Sequence, residues 1–230
     1  MAKDSYIDII ETLKLESAMG RAAGPALEDL ARHAQRKRFE KGEYLFNIGD
    51  ESENYYIVES GRVILSKDTP SGKAFTCYIA VRGTPLNAAA CLKPRPRFLS
   101  ARAAKNTTVL AIPSPIWKQW VLDNPEVLSA ILDIMCDLLD SAYTRILDLI
   151  DESVEQRVLN ALNMLSTSFG PNLPMTNNDI ADMTGTSRET AARVMSRLQE
   201  VGLLSKSRGQ IKILDMSQLD GMMTSPFFRV

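Results

Sequence analysis

The sequence has only one histidine, three cysteines and a formal net charge of −1 in 230 residues. The cysteines (Cys77, Cys91 and Cys136) are far apart and show no Cys-x-x-Cys spacing, which argues against a disulfide framework or a zinc site. Because the charge is nearly balanced, any affinity for nucleic acid must come from a local patch.

The chain also lacks long hydrophobic runs. No uninterrupted apolar stretch approaches the length of a membrane span. The first residues do not show a basic stretch followed by an apolar core, the pattern of a signal peptide. Together with the scattered cysteines, this predicts a cytoplasmic protein with no membrane partner.

Two kinds of periodicity divide the first half of the sequence. Residues 4–36 have apolar positions at helical spacing. From Phe39 to Pro113, short β-branched and aromatic runs alternate with turn residues, including glycines at 42, 49, 61, 72 and 83. Strands at this spacing predict a small antiparallel barrel or jelly roll.

A long helix is predicted after Asn124-Pro125, where Asn is a good cap and Pro fits the first helical position. Apolar residues follow at steps of three and four, although Arg145 interrupts the pattern. Such a seam over roughly three heptads is enough for a coiled-coil dimer contact. The predicted seam is Leu128, Ile131, Met135, Leu138, Ala142 and Leu149.

Residues 151–153 are the expected hinge, because Ser153 and Gln156 can form a capping box that starts a new helix. Further on, residues 176–198 predict a helix, a tight turn at Gly185 and a second helix. Thr176 with Asp179 is expected to cap the first of these helices, and Thr186 with Glu189 to form a capping box for the second.

The second helix of this pair is amphipathic. Ala191, Val194, Met195 and Leu198 are expected to form a buried back. The opposite face carries Arg188, Glu189 and Arg193, which are predicted to read DNA bases: Arg can pair with guanine O6 and N7, and Glu can accept from cytosine N4.

A β-hairpin wing is predicted after this helix, with Ser207-Arg-Gly at its tip. A winged helix of this kind can instead dock on another protein, but its exposed Arg, Glu and Arg favour DNA. The residues expected to contact phosphates are Thr176, Asn178, Ser187, Lys206 and Arg208. The whole pattern predicts an α+β fold: an N-terminal antiparallel β-roll or jelly roll with flanking helices, a long dimerisation helix, and a C-terminal winged helix-turn-helix.

In the order of these motifs the chain resembles the CRP/FNR family of bacterial transcription regulators, over about residues 20–220. The resemblance is carried by the glycine-punctuated roll, Asn124-Pro-Glu-Val-Leu, Gly185-Thr-Ser-Arg-Glu-Thr and Gly209-Gln-Ile-Lys-Ile-Leu-Asp. It implies a homodimer that binds a palindromic TGTGA-like site in double-stranded DNA under effector control, with RNA polymerase as a further partner. The implied domains are an effector-sensing roll (1–113), a dimerisation helix and hinge (114–152) and a DNA-binding domain (153–230).

Residues 83–102 correspond to the segment with which some family members bind cyclic nucleotides, and they depart from the pattern of those members. Their Gly-Glu pair, whose acid binds the ribose, falls here on Asn87-Ala88. Arg97 can match their phosphate-binding Arg, but Phe98 replaces the hydroxyl residue that follows it. An Ala cannot accept from a ribose hydroxyl, so cyclic AMP is disfavoured. The candidate pocket residues are Asn87, Ala88, Cys91, Arg97, Phe98, Ala142 and Tyr143.

Because residues 88–92 of this segment are apolar, several effector hypotheses stay open. The effector can be a haem that detects a gas, a small apolar molecule or a cyclic nucleotide. Alternatively, side chains of the protein fill the pocket and the protein binds DNA constitutively. The candidate haem ligands are His33, Cys77 and Cys91, although each also fits a surface or core role. No cysteine precedes Cys77, which argues against the family's iron–sulfur sensor. The basic run Lys93-Pro-Arg-Pro-Arg97 fits an exposed stiff loop, and Arg97 is a candidate anion ligand.

An enzymatic function is not expected, because the roll sequence contains no paired carboxylates at a plausible pocket, no histidine dyad and no nucleophile–base set.

Overall fold

The computed structural model describes residues 2–68, 74–86, 88–93, 95–207 and 209–222. The chain divides into two compact units, Met1–Ile134 and Met135–Val230, with the division inside one long helix. Among the described residues, no helix combines the length and the apolar character needed to cross a bilayer.

The first unit opens with helix α1 (Ala2–Leu15), a 3-10 turn (Met19–Arg21) and helix α2 (Gly24–Ala31), which has Pro25 in its first turn. The expectation of helix up to residue 36 is wrong at its end, because strand β1 (Gln35–Phe39) begins there. Its sequence, Gln-Arg-Lys-Arg-Phe, has no strand signature. Pairing with a later strand, in which Arg36 lies opposite Leu110, creates it.

Six further strands complete an antiparallel β-roll: β2 (Tyr44–Phe46), β3 (Asn54–Ser60), β4 (Val63–Asp68), β5 (Ala74–Ala80), β6 (Ser100–Ala103) and β7 (Thr107–Pro113). They form two sheets, β1-β7-β3 and β2-β6-β4-β5. Val58 and Val109 of one sheet join Leu65 and Ala101 of the other in a common core. The predicted roll is therefore confirmed.

Gly61 in the turn between β3 and β4 is required by its surroundings. Its φ is +103°, and a Cβ there would lie 2.4 Å from the hydroxyl of Thr107. Any other residue would both strain the backbone and collide with β7.

A short helix α3 (Ala89–Leu92) lies between β5 and β6, and helices α4 (Ser114–Asp123) and α5 (Pro125–Asp151) follow β7. Helix α4 is fixed to the rest of the first unit by its tryptophans. Trp117 stacks on Tyr55 at 4.2 Å between ring centroids, and the Trp120 indole N–H donates to the carbonyl of Ala26 at 2.9 Å. Helix α5 begins at Pro125 as predicted.

In the described part of the second unit, four further helices and three short strands follow α5. These are α6 (Val154–Phe169), β8 (Asn172–Leu173), α7 (Asn177–Thr184), α8 (Arg188–Glu200), β9 (Leu204–Ser207), β10 (Gln210–Ile213) and α9 (Met216–Gly221). The strands form the sheet β8-β10-β9, whose β9–β10 hairpin is the predicted wing.

Two of the predicted capping boxes are not formed as expected. Ser153 does cap α6 by accepting from the backbone N–H of Gln156, but the Gln156 side chain donates to Asn160 and to the carbonyl of Met222. Helix α8 is capped by Ser187, not by Thr186, because α8 begins one residue later than predicted. Ser187 accepts from the N–H of Thr190 at 3.1 Å.

Candidate nucleic-acid interface

Helices α7 and α8 form a compact helix-turn-helix. Thr176 and Asp179 form the predicted reciprocal capping box at the start of α7. Gly185 ends α7 in the left-handed conformation, with φ at +65°. Its N–H and that of Thr186 both point back to the carbonyl of Ala181, which closes the turn. This geometry is why a glycine is suited to position 185.

Helix α8 separates a buried back from an exposed front. Ala191, Met195 and Leu198 are almost fully buried, whereas Val194 is only half-buried. The predicted base-reading residues Arg188, Glu189 and Arg193 are all exposed on the front, together with Ser196. The structure therefore brings two guanidinium groups and a carboxylate onto one solvent-facing surface.

The electrostatics of this surface keep Glu189 charged. The pKa of Glu189 is lowered, first by a hydrogen bond from its own backbone N–H, then by one from the Ser187 hydroxyl, and further by the nearby Arg188. Partial burial raises the pKa of Asp182 on α7, while Arg188 opposes this rise. At neutral pH, Glu189 presents an ionised acceptor.

The predicted phosphate contacts are distributed around α7 and the wing. A cavity of about 380 Å³ lies between them and is lined by Thr176, Asn178 and Lys206. The Thr176 and Ser187 hydroxyls are engaged in helix caps, and the Lys206 ammonium donates to the Ser196 hydroxyl at 3.1 Å. Arg208 lies outside the described residues.

Two arginines that sequence reasoning missed hold this unit together. Arg197 on α8 forms an ion pair with Glu155 on α6 at 2.9 Å. Arg157 on α6 donates to the carbonyl of Thr184 at 3.1 Å and to that of Glu152 at 3.0 Å. Nothing in the local sequence marks these arginines, because their partners are distant along the chain or are backbone atoms.

The exposed apolar side chains of α5 include residues outside the predicted seam. Ile131 is only 9% exposed and so is already buried within the chain. Several large apolar residues of α5 are exposed, among them Ile134, Leu138, Tyr143 and Ile150. Three others are exposed at intervals of seven residues: Leu132 (57% exposed), Leu139 (53%) and Ile146 (52%). Leu132, Leu139 and Ile146 alternate with Leu128, Met135 and Ala142 at steps of four and three residues. A seam with this spacing does not include Arg145.

The remaining seam residues are Leu138, which is 65% exposed, and Leu149, whose side chain lies outside the described part of the chain.

Arg97 contradicts the expectation of a fully exposed basic loop. It is 2% exposed, and its guanidinium donates to the carbonyls of Asn54 and Leu86. The guanidinium also lies 4.3 Å from the centroid of the Phe46 ring. Lys93 and Arg95 are exposed as predicted.

Phe98, a candidate pocket residue, lies on the surface of the described part of the chain. It is 57% exposed, with the Lys67 ammonium 3.5 Å from its ring centroid. Its two neighbours in sequence are buried, Arg97 at 2% exposed and Leu99 at 8%. Among the other candidates, Ala88 is half-buried, Ala142 and Tyr143 are exposed, and Asn87 lies outside the described residues.

The three candidate haem ligands do not meet at one cavity. His33 is exposed and lines a groove with Asp29 and Trp120. Cys91 is buried, lines a different cavity, and donates to the carbonyl of Asn54 at 3.6 Å. Cys77 is half-buried against the core of the roll. These residues therefore cannot act together on one haem, and Cys91 is the candidate that is buried at a cavity. Among the described residues, there is no group of three or more metal-binding side chains.

Comparison with known proteins gives two family matches, one in each unit of the chain. Residues 36–124 match the cyclic nucleotide-binding domain, and residues 156–222 match the Crp-like helix-turn-helix domain. The chain is 27% identical to a "Probable transcriptional activator" of Rhizobium leguminosarum bv. viciae, over 86% of this chain and 85% of the relative.

It is also 28% identical to the "Cyclic AMP receptor protein" of Thermus thermophilus, over 85% of this chain and 92% of the relative. The solved structure of FixK2 from Bradyrhizobium japonicum shares the fold, with a TM-score of 0.74 and 21% identity, and the match covers 84% of this chain and 98% of that chain. The two family matches fall on the β-roll and on the helix-turn-helix, in that order along the chain. The chain therefore belongs to the CRP/FNR family of DNA-binding transcriptional regulators.

Proposed function

We propose that the protein is a homodimer that reads a two-fold symmetric operator with Arg188, Glu189 and Arg193 of each copy. The observation that carries this proposal is their common exposure on the front of α8, opposite a buried apolar back. Arg at the first reading position favours TGTGA-like half-sites that face each other, about one helical turn apart. Thr176, Asn178, Ser187, Lys206 and Arg208 are proposed to fix the register through phosphates.

The proposed dimer contact is the apolar face of α5 that contains Leu132, Leu139 and Ile146. Three large side chains that are more than half exposed on one helix are costly in water. Their spacing is that of a two-stranded coiled coil. The proposed division of labour is a sensing domain (1–113), a dimerisation helix with a hinge (114–152) and a DNA-binding domain (153–230).

For the effector, a small molecule other than cyclic AMP is favoured. The position that would bind the ribose carries Ala88, and the Arg97 guanidinium already donates to two backbone carbonyls. The small apolar side chains of this segment suit a small apolar molecule; a haem would need an axial ligand there, for which Cys91 is the candidate within the segment. A cyclic-nucleotide response remains the alternative, since the Thermus thermophilus relative carries the name of a cyclic AMP receptor.

A constitutive DNA binder is the second candidate function. The nearly complete burial of Leu86, Cys91 and Arg97 favours it, because these side chains fill the region in which an effector is expected. Both candidates place the protein in the cytoplasm, with RNA polymerase as a further partner and no enzymatic activity.

The test is the affinity of the purified protein for a symmetric TGTGA-type duplex, measured by fluorescence anisotropy with and without candidate effectors. We expect the affinity for this duplex to exceed that for a scrambled duplex, and to change when the effector is added. Tight binding that no effector changes would favour the constitutive alternative. Equal affinity for both duplexes would contradict the proposed reading residues. An absorption spectrum with a Soret band would restore the haem hypothesis.

A further inference from the structure

A second cavity in the first unit lies outside the core of the roll. It has a volume of about 740 Å³, within the range of small-molecule sites. Its walls come from the loop before β3, helix α3, the loop before β6 and the first turns of α4. We propose that this cavity binds a small zwitterion of the amino acid or short-peptide class.

The walls of the cavity are joined by hydrogen bonds. The Ser114 hydroxyl at the start of α4 donates to the carbonyl of Ser52, and the Ser114 N–H donates to the carbonyl of Glu53 at 2.8 Å. The Ser52 hydroxyl donates in turn to the carbonyl of Arg95 at 2.9 Å. Because these bonds tie α4 and both loops together, the cavity is largely formed before a ligand arrives, which lowers the entropic cost of binding.

Four charged side chains line this cavity: Glu51 and Glu53 on one loop, Arg95 on the other and Lys118 on α4. Within the part of the chain that the structure describes, none of the four side chains forms an ion pair or a hydrogen bond. Charges of both signs are therefore available to a ligand around one concave surface.

The balance of signs selects the ligand class. A phosphate or a nucleotide would be repelled by Glu51 and Glu53, and a simple cation by Arg95 and Lys118. A molecule with one carboxylate and one ammonium group can satisfy both pairs. The positive end of the α4 dipole adds to the attraction for the carboxylate, because the first turn of α4 contains no acidic residue.

The uncharged part of the wall suits an aliphatic body. Ala90 and Cys91 are nearly fully buried beneath the cavity, and Pro96 and Pro115 form part of its exposed wall. Such a lining favours an apolar side chain on the zwitterion. L-Leucine, L-phenylalanine and leucyl-leucine are therefore the probes of choice.

The experiment measures binding of the three probes to the full chain by isothermal titration calorimetry, with thermal unfolding as a second readout. Leucine methyl ester, which is only a cation, and N-acetyl-leucine, which is only an anion, are the ligand controls. We expect at least one zwitterionic probe to bind and to raise the melting temperature, and both single-charge analogues to bind about tenfold more weakly or worse.

Lys118→Gln and Glu53→Gln should each weaken binding of that probe about tenfold or more. Lys105→Gln removes a charge from an exposed site that does not line the cavity, and should leave binding unchanged. Unchanged melting temperatures of the ligand-free variants would show that they fold.

Failure of all three probes to bind the wild-type protein overturns the proposal, as does equal binding of the single-charge analogues. Either result leaves the proposed DNA function standing, because the DNA measurement requires no ligand in this cavity.

Discussion

At the residue scale, side chains that are adjacent in sequence have different surroundings in the candidate sites. Arg97 and Phe98 are neighbours, yet one is buried against Phe46 and the other is on the surface. Arg188 and Glu189 both lie at the exposed start of α8, where the helix N-terminus favours the carboxylate and leaves the guanidinium free to reach outward.

Replacing Arg188 with Ala should cost about 1–3 kcal/mol of binding to the TGTGA-type duplex and relax the preference at one base pair. The reason is the loss of a bidentate contact to guanine. Anisotropy titrations against duplexes that carry each base at that position measure both effects. Lys105→Ala, which removes the same charge far along the chain, should change neither quantity. A uniform loss across all duplexes would mean that Arg188 binds phosphate instead.

Glu189 should make folding stability depend on pH. Its folded pKa is lowered, so the stabilisation is fully present above the unfolded carboxylate pKa and is lost as the pH falls through the folded pKa. Glu189→Gln should therefore lower the melting temperature at neutral pH, and the gap to wild type should close in acid. Melting curves of both proteins between neutral and acidic pH check this. A gap that stays constant with pH would show that the charge plays no part.

At the element scale, helix starts and helix faces decide which residues are presented. The start of α8 at Arg188 makes Ser187 its cap and leaves Thr186 in the turn. On α5, Ile131 of the predicted seam is buried, whereas Leu132, Leu138, Leu139 and Ile146 are exposed. The first difference moves the cap of α8 by one residue. The second removes Ile131 from the side chains of α5 that are available to contact a second copy.

Ser187→Ala should destabilise the DNA-binding unit by about 1 kcal/mol, because the N–H of Thr190 loses its acceptor. Thr186→Ala is the matched control and should have a much smaller effect. Urea unfolding followed by circular dichroism measures the difference. If Thr186→Ala proved the more damaging variant, the capping box predicted from the sequence would be the correct one after all.

Leu139→Ala should weaken the proposed dimer by about 3–6 kcal/mol, since each copy loses one buried leucine from the seam. Asp137→Ala changes an exposed residue that is outside the seam spacing, and should leave the association unchanged. Sedimentation equilibrium over a range of concentrations gives the dissociation constants. Should wild-type protein be monomeric at all concentrations, the apolar face of α5 must have another partner.

At the scale of the whole molecule, the described part of the chain has a single helix that is proposed to read bases, α8, so the proposed symmetric operator requires two chains. Pairing through α5 would give the two copies of α8 a defined separation. Both could then bind the same side of the duplex only if the two half-sites had the matching spacing. Sequence specificity would then belong to the assembly and not to the single helix.

Inserting about five base pairs, or half a turn of DNA, between the two half-sites should reduce the affinity to nearly that of a single half-site. The two recognition helices would then face opposite sides of the duplex. Anisotropy titrations of the spaced, unspaced and single half-site duplexes give the comparison. Equal affinity for the spaced and unspaced sites would indicate that the two reading heads bind independently.

Some features could be predicted from the sequence because interactions between neighbouring residues create them. The start of α5 at Pro125, the Thr176–Asp179 capping box and the turn at Gly185 each depend on residues a few positions apart. The strands of the roll can be recognised from their composition and from the glycines between them, although most of them pair with strands far along the chain. Strand β1 could not be predicted in this way, because Gln35–Phe39 becomes a strand only by pairing with β7, which lies far along the chain.

By itself, the sequence determined the class of protein, the order of its elements and the amphipathic α8, because helical and strand periodicities are set by neighbouring residues. Only the tertiary structure decided which polar groups remain available. It buried Arg97 on backbone carbonyls, turned Phe98 outward, and left Leu132 instead of Ile131 open on α5. Those outcomes depend on burial and on contacts with residues far along the chain. The local pattern of residue types specifies neither of these.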